Sequence, residues 1–189
     1  MPATRRRDGV VPSAAPAASA AATVPSEPVS VLADLPRMLL RDHQFGTVAE
    51  ALRRGDGAAL EGAWAGAAAT AIAALLHAEA EGGVGRPLLI VTARVAGTDH
   101  FAADVAALLG EPAVGDSVAL FPARDGLSAA PDPADPVFAA RSAALNRLED
   151  KNETNRPRAL VAPIQALMQP VPSRAAREAA TRSLRVGDP

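Results

Sequence analysis

Apolar residues first recur at helical spacing at Leu32, Leu35, Leu39 and Leu40, so the pattern predicts an ordered helix from about Val31. A second, shorter helix is expected from Phe45 to Arg53, with Phe45, Val48, Ala49 and Leu52 on one face and the Gly55-Asp56-Gly57 turn stopping it. Beyond that turn the pattern alternates between strand and helix. A strand is expected at Ala58–Trp64, followed by an alanine-rich helix from about Ala67 to near Glu81 whose apolar face holds Ile72, Leu75 and Leu76. Gly82-Gly83 ends that helix, and Leu88-Leu89-Ile90-Val91 follows. This short, wholly apolar run reads as a central parallel strand covered on both faces.

The next helix is expected from the Arg94–Thr98 region to Leu109, with Phe101, Val105, Leu108 and Leu109 facing inward and Gly110 as the C-cap. Val118–Phe121 is the third predicted strand. It leads into a loop, Pro122–Ala134, too rich in Pro, Asp, Gly and Ser for regular structure. Asp135-Pro136 supplies an N-cap and a first-turn proline, and Val137, Ala140, Ala144 and Leu148 carry a helix to about Glu149. After a polar turn, Ala159–Ala162 forms a fourth strand, and a short helix runs from Pro163 through Ile164, Leu167 and Met168 until Pro170 and Pro172 end it. The last segment begins as helix, and Ser183–Pro189 opens a further element that is left incomplete.

This order predicts an α/β fold: a parallel sheet flanked by helices on both faces, with right-handed crossovers. Ligands in such folds sit beyond the carboxyl ends of the strands. Here those ends carry Trp64–Gly66, Thr92–Arg94, Phe121–Asp125 and Ala162-Pro163, and none supplies a complete catalytic set.

Composition changes the picture in three ways. Of 189 residues 49% are hydrophobic but only 3% aromatic, so the core is built from Ala, Val, Leu and Ile and buries little area per residue. Cysteine is absent, which excludes disulfides, thiol catalysis and cysteine-based metal sites. Residues 11–30 hold seven Ala, four Pro and four Ser behind Arg5-Arg6-Arg7; together residues 1–30 read as a disordered leader, since Pro12, Pro16, Pro25 and Pro28 break any secretory core. No apolar run is long enough to cross a bilayer, which suits a cytoplasmic protein without a membrane partner.

The net charge of −2 is unevenly spread: residues 31–173 hold 12 Lys+Arg against 17 Asp+Glu, while 174–189 hold four Arg against two acids. Without a basic stripe or an aromatic platform, nucleic-acid contact is not expected of this region.

The segment Glu61-Gly62-Ala63-Trp64-Ala65-Gly66-Ala67-Ala68-Ala69-Thr70 has the strand–turn–helix outline of a phosphate-binding loop, but alanines stand where Gly-Lys would precede Thr70. Without an ammonium for the β and γ phosphates it reads as a degenerate nucleotide loop, with Gly62 and Gly66 as close-packing positions between strand and helix.

No other constellation completes a site. Neither Thr92-Ala93-Arg94 nor Ala162-Pro163 offers a magnesium carboxylate. Ser117 and Ser128 lack a nucleophile turn and a histidine partner. His43, His77 and His100 read as surface or boundary residues, His77 and His100 on helices. Arg124 and Asp125 are a charged pair directly after a strand, read as a solvated loop ion pair with a lesser chance of holding a phosphate or metal-bound water. Asp132 and Asp135 suit turn and helix caps. Arg141 and Arg147 project from the helix after the long loop, and Arg141 is expected in a structural or partner-facing salt bridge or exposed to solvent. No catalytic, cofactor-binding or metal-binding residue is assigned.

Three stretches carry a family resemblance: the lysine-less Gly62–Thr70 turn; Leu120-Phe121-Pro122-Ala123-Arg124-Asp125 with Pro131-Asp132-Pro133 and Arg141, Leu145 and Leu148; and the run from Val161 to Arg174, whose Ala162-Pro163 and Ala166-Leu167-Met168-Gln169-Pro170 are the most specific part. Together they resemble the N-terminal, UvrB-like region of the bacterial transcription-repair coupling factor (Mfd) family. The chain departs from that family's pattern after Pro122, where Ala123-Arg124-Asp125 and Gly126-Leu127-Ser128 replace an aromatic, an acid and a Leu-Pro-Tyr-like run.

The resemblance implies a partial P-loop-helicase-like lobe over residues 31–173 that has lost ATP hydrolysis. Residues 174–189 would then start a UvrA-interaction module, in a chain that looks truncated. It implies no cofactor here; ATP and magnesium belong to the full-length family, an ATP-dependent DNA translocase. UvrA would be met through the following module, and RNA polymerase and double-stranded DNA through remote domains. The expected role is a non-catalytic scaffold. The alternatives are a small nucleotide-binding or nucleotide-hydrolysing protein, or a partial gene product without independent function.

Overall fold

The computed structural model describes residues 28–125 and 135–180. The leader up to residue 27, the Gly126–Ala134 part of the long loop and the Ser183–Pro189 element lie outside the described residues.

Helix α1 spans Pro28–Leu40 and begins three residues before Val31, with Pro28 in the first turn, where a missing N–H costs nothing. Helix α2 spans His43–Arg54. The Asp42 carboxylate accepts the Phe45 N–H at 2.9 Å, and Gly55, at φ 85°, closes the other end in the left-handed region. Phe45 and Ala49 are the buried positions of its apolar face.

The expected strand at Ala58–Trp64 does not form: residues 56–63 lack regular structure, and Leu60 and Trp64 are 49% and 83% exposed. The stretch contains only alanine, glycine, Leu60, Glu61 and Trp64, with no β-branched residue to pack on a pleated surface. Helix α3, Gly66–Leu75, is also shorter than its alanine pattern suggests. The chain turns at Leu76-His77, makes a 3-10 turn at Glu79–Glu81 and folds back so that the Val84 N–H meets the Leu75 carbonyl at 2.8 Å. Gly83 crosses so close that a Cβ there would lie 2.1 Å from the His77 carbonyl oxygen. The glycine pair therefore serves a tight backbone crossing after the helix has ended.

Three strands make one parallel sheet: β1, Leu88–Thr92; β2, Val118–Leu120; and β3, Ala159–Pro163, in the order β1-β3-β2. Leu88 pairs with Ala159 and Thr92 with Pro163, while Val118 pairs with Ala159 and Leu120 with Val161. The central strand is thus β3, and β1 lies at an edge, contrary to its wholly apolar sequence. Between the strands run α4, Thr98–Leu108, and α5, Pro136–Leu148, whose N-cap Asp135 accepts the Val137 N–H at 2.8 Å. After β3 come the short α6, Ile164–Leu167, and α7, Arg174–Ala180.

The main core lies between one sheet face and α3 and α4, where Ala69, Ala73, Ala102, Val105 and Ala106 meet Ile90, Val118 and Val161. Helix α1 packs across α3 and α4. On the opposite face a smaller cluster, Phe121, Ala144, Ala162 and Ala166, covers β2 and β3 only. Leu89 and Val91, in register with Leu160 and Ala162, share that face but stay 57% and 47% exposed because α5 and α6 do not reach them. Among the described residues, no helix is long and apolar enough to cross a membrane.

Candidate functional site

The Glu61–Thr70 loop enters α3 with three of its donors committed to its own backbone. The Ala67 N–H bonds the Trp64 carbonyl at 2.9 Å, the Ala69 N–H bonds the Ala65 carbonyl at 3.0 Å, and the Thr70 hydroxyl donates to the Gly66 carbonyl at 2.8 Å. A phosphate cradle needs successive N–H groups turned toward the ligand, together with a cation. The only lysine in the sequence, Lys151, lies far along the chain in the turn after α5. Gly62 and Gly66 are not close-packing positions, since a Cβ at either would meet nothing within 4 Å. Gly62 answers instead to a φ of 75°, a region that strains other residues. Beside the loop, a cavity of about 700 Å³ is walled by Leu35, Leu39, Phe45, Val48 and Leu60. Its charged members, Asp42 and Glu61, are both acids and would repel a phosphate.

At the carboxyl ends of the strands Thr92, Thr98 and Gln169 hold the fold together. The Thr92 and Thr98 hydroxyls lie 2.6 Å apart, and Thr98 also donates to the Arg94 carbonyl at 2.7 Å, which closes the turn after β1. Gln169 clasps the backbone of Arg124 from both sides, accepting its N–H and donating to its carbonyl, each at 2.8 Å.

Arg141 is only 5% exposed. Its guanidinium donates to the Pro122 carbonyl at 2.8 Å, to Gln169 Oε1 at 3.2 Å and to the Ala166 carbonyl at 3.4 Å, and it lies 4.0 Å from the centre of the Phe121 ring. Burial pushes its pKa down, with a smaller push from the nearby Arg124 charge. The expected salt bridge is therefore replaced by carbonyls and an aromatic face. Four segments meet at this one side chain: the end of β2, α5, α6 and Gln169. Of the stripe expected on α5, Ala144 is buried and Val137 and Leu148 are half-buried, but Ala140 is exposed, and Arg141, which is spaced with Val137 and Ala144, takes the inward position.

The remaining candidates disperse. Arg147 donates to the carbonyls of Asn155 and Asp116. Asp135 caps α5; Asp132 and Ser128 lie outside the described residues. The Ser117 N–H is held by the Glu111 carboxylate at 3.0 Å. His43 and His100 are exposed, His100 with its Nδ1 3.3 Å from Asp99. The hydrogen bond from the His100 backbone leads the effects that hold the Asp99 carboxyl below its usual range. Among the described residues, no three His, Cys, Asp or Glu side chains are grouped to hold a metal ion.

His77 sits in the turn after α3, beyond the helix that periodicity assigned to it, and is 8% exposed. Its Nδ1 is 2.6 Å from Glu81 Oε2, and that hydrogen bond is the first cause of a lowered Glu81 pKa, followed in the same direction by the charges of His77, Arg37 and Arg158. His77 Nε2 is buried and has no hydrogen-bond partner among the described residues.

Around His77 the structure gathers side chains that sequence spacing did not connect. A cavity of about 690 Å³ opens at the amino ends of β1 and β3, lined by Arg37 of α1, Arg86 before β1, and Arg156 and Arg158 before β3. The only local signal is that Arg158 directly precedes β3 and Arg86 stands two residues before β1, two strands that pair with each other. No protein-family model, curated protein or solved structure matches the chain.

Proposed function

We propose that the chain is a non-catalytic scaffold: the N-terminal, UvrB-like part of a transcription-coupled nucleotide-excision repair factor, a partial P-loop-helicase-like lobe supporting UvrA recruitment and restraint of a remote ATP-dependent DNA translocase. The observation that carries this reading is the Glu61–Thr70 loop, which keeps the entry into a helix without a lysine, while the Ala67 and Ala69 N–H groups and the Thr70 hydroxyl are turned to backbone carbonyls. Such a loop suits a lobe that contributes shape and contact surface to a larger machine. The Val161–Arg174 run adds support, because the residues that carry the family resemblance build the β3–α6 connection and supply Gln169, the clasp on Arg124.

Two measurements test the proposal. If the coding sequence continues in frame through the following module, the extended protein should bind UvrA, and deletion of that module should abolish binding. Absence of UvrA binding by the extended protein would overturn the recruitment half. For the loop, Thr70→Ala should leave any affinity for ATP unchanged, and the chain should not hydrolyse ATP. An ATP affinity that drops with Thr70→Ala would instead favour a nucleotide-binding protein.

A further inference from the structure

Arg37, Arg86 and the pair Arg156 and Arg158 come from three stretches widely separated in sequence, yet they line one cavity whose acidic members are Glu81 and Glu153. Four guanidinium charges against two carboxylates leave an excess of positive charge in a region that is acidic over its whole length. Three of the four are anchored. Arg86 Nη2 donates to the carbonyls of Leu52 at 3.3 Å and Arg53, Arg158 Nη2 to that of Leu76, and Arg156 Nε to that of Asp150 at 2.7 Å. Each guanidinium has five N–H donors, so these contacts hold the side chains in place without exhausting them.

The two acids offset part of that positive charge, Glu81 through its interaction with Arg37 and Arg158 and Glu153 through Arg156. Glu81 is engaged by His77, and Glu153 Oε1 lies 3.6 Å from Arg156 Nη1 with its side chain 86% exposed. His77 forms part of the wall, more than nine-tenths buried, and its Nε2 is itself buried, with no partner among the described residues.

We propose that this cavity binds a diphosphate-bearing anion. The forked geometry of arginine matches phosphate oxygens two at a time, and fixed guanidinia lose little freedom on binding. The volume and the number of cations exceed what a single carboxylate would use. The diphosphate group is the shared chemistry of inorganic pyrophosphate and a nucleoside diphosphate.

Calorimetric titration of the full chain at low ionic strength, with pyrophosphate and with ADP in separate arms, tests the assignment. Pyrophosphate should bind saturably with a Kd below about 1 mM. Arg37→Gln, on an exposed turn of α1, should weaken it about tenfold, the scale of one charge-assisted contact, with Arg37→Lys recovering part of the loss. Glu153→Gln should move affinity the opposite way and tighten binding a few-fold, which a merely destabilised fold would not do. Equal binding of ADP assigns recognition to the diphosphate alone, and binding of pyrophosphate without ADP restricts the cavity to the inorganic anion. Binding of ADP without pyrophosphate, no saturable pyrophosphate heat, or an affinity unmoved by Arg37→Gln would each overturn the proposal. Thr70→Ala, beside the α2–α3 cavity, should change none of these values, which separates this inference from the fate of the scaffold reading.

Discussion

At the carboxyl ends of β2 and β3 a buried arginine is consumed by the fold, whereas at the amino ends of β1 and β3 four arginines line an open cavity. Arg141 reaches three oxygen acceptors and an aromatic ring and is 5% exposed. Arg37, Arg86, Arg156 and Arg158 remain exposed while carbonyls steady three of them. The difference comes from what surrounds each end. Past β2 and β3, α5 and α6 converge and cover the side chain, so backbone and amide oxygens and the Phe121 ring stand in for water around the cation. At the amino ends the closing elements are turns and helix C-termini. Their carbonyls orient guanidinium groups without covering them.

The largest expected effect is at the closed end. Arg141→Met takes the donor from the Pro122 carbonyl and removes the guanidinium from Gln169 Oε1, the Ala166 carbonyl and the Phe121 ring, and urea denaturation should show a loss of about 3 kcal/mol. Arg141→Lys should recover less than half, because one ammonium cannot span the same acceptors and ring. A loss below about 1 kcal/mol in Arg141→Met would show that the buried guanidinium is not the tie described here.

A smaller loss, about 2 kcal/mol, is expected at the open end for Gly83→Ala, because its Cβ would fall 2.1 Å from the His77 carbonyl oxygen and the backbone would have to shift. Since that shift also moves the wall of the arginine cavity, pyrophosphate affinity should fall with stability. Unchanged melting of Gly83→Ala would mean that the crossing relaxes freely.

The smallest effect is in pH dependence. Glu81 has a folded pKa below its ordinary value of 4.5, chiefly through the His77 hydrogen bond. Its stabilising contribution is therefore present above that value and lost as pH falls through the folded pKa. Thermal melting followed downward from pH 5 should show a slightly shallower acid loss in Glu81→Gln than in the parent chain. Identical acid profiles would remove the His77–Glu81 bond from the account of the open end.

Much of the fold was legible locally. The α2 helix follows from the spacing of Phe45, Val48, Ala49 and Leu52 and its stop at Gly55-Asp56-Gly57, the α5 N-terminus from Asp135-Pro136, and the three strands from their short apolar runs. Each of those signals is completed within a few residues, so its energetics does not wait for a distant partner. The strand expected at Ala58–Trp64 failed for the converse reason. Its period and turn neighbours fitted, but alanine and glycine give a neighbouring strand almost nothing to pack against. The lysine-less loop was equally visible, while the commitment of its N–H groups to Trp64 and Ala65 was not.

By itself, the sequence determined the run of helices and strands, an aromatic-poor core without cysteine, and the absence of a phosphate-binding lysine before Thr70, because these depend on residue identity and short-range spacing. Only the tertiary structure decided that β3 is the central strand, that Leu89 and Val91 lie beyond the cover of α5 and α6, and that Arg141 is buried among carbonyls. It alone brought Arg37, Arg86, Arg156 and Arg158 to one cavity. Strand order and the meeting of distant turns follow from which surfaces bury one another across the whole chain, and no local period records that choice.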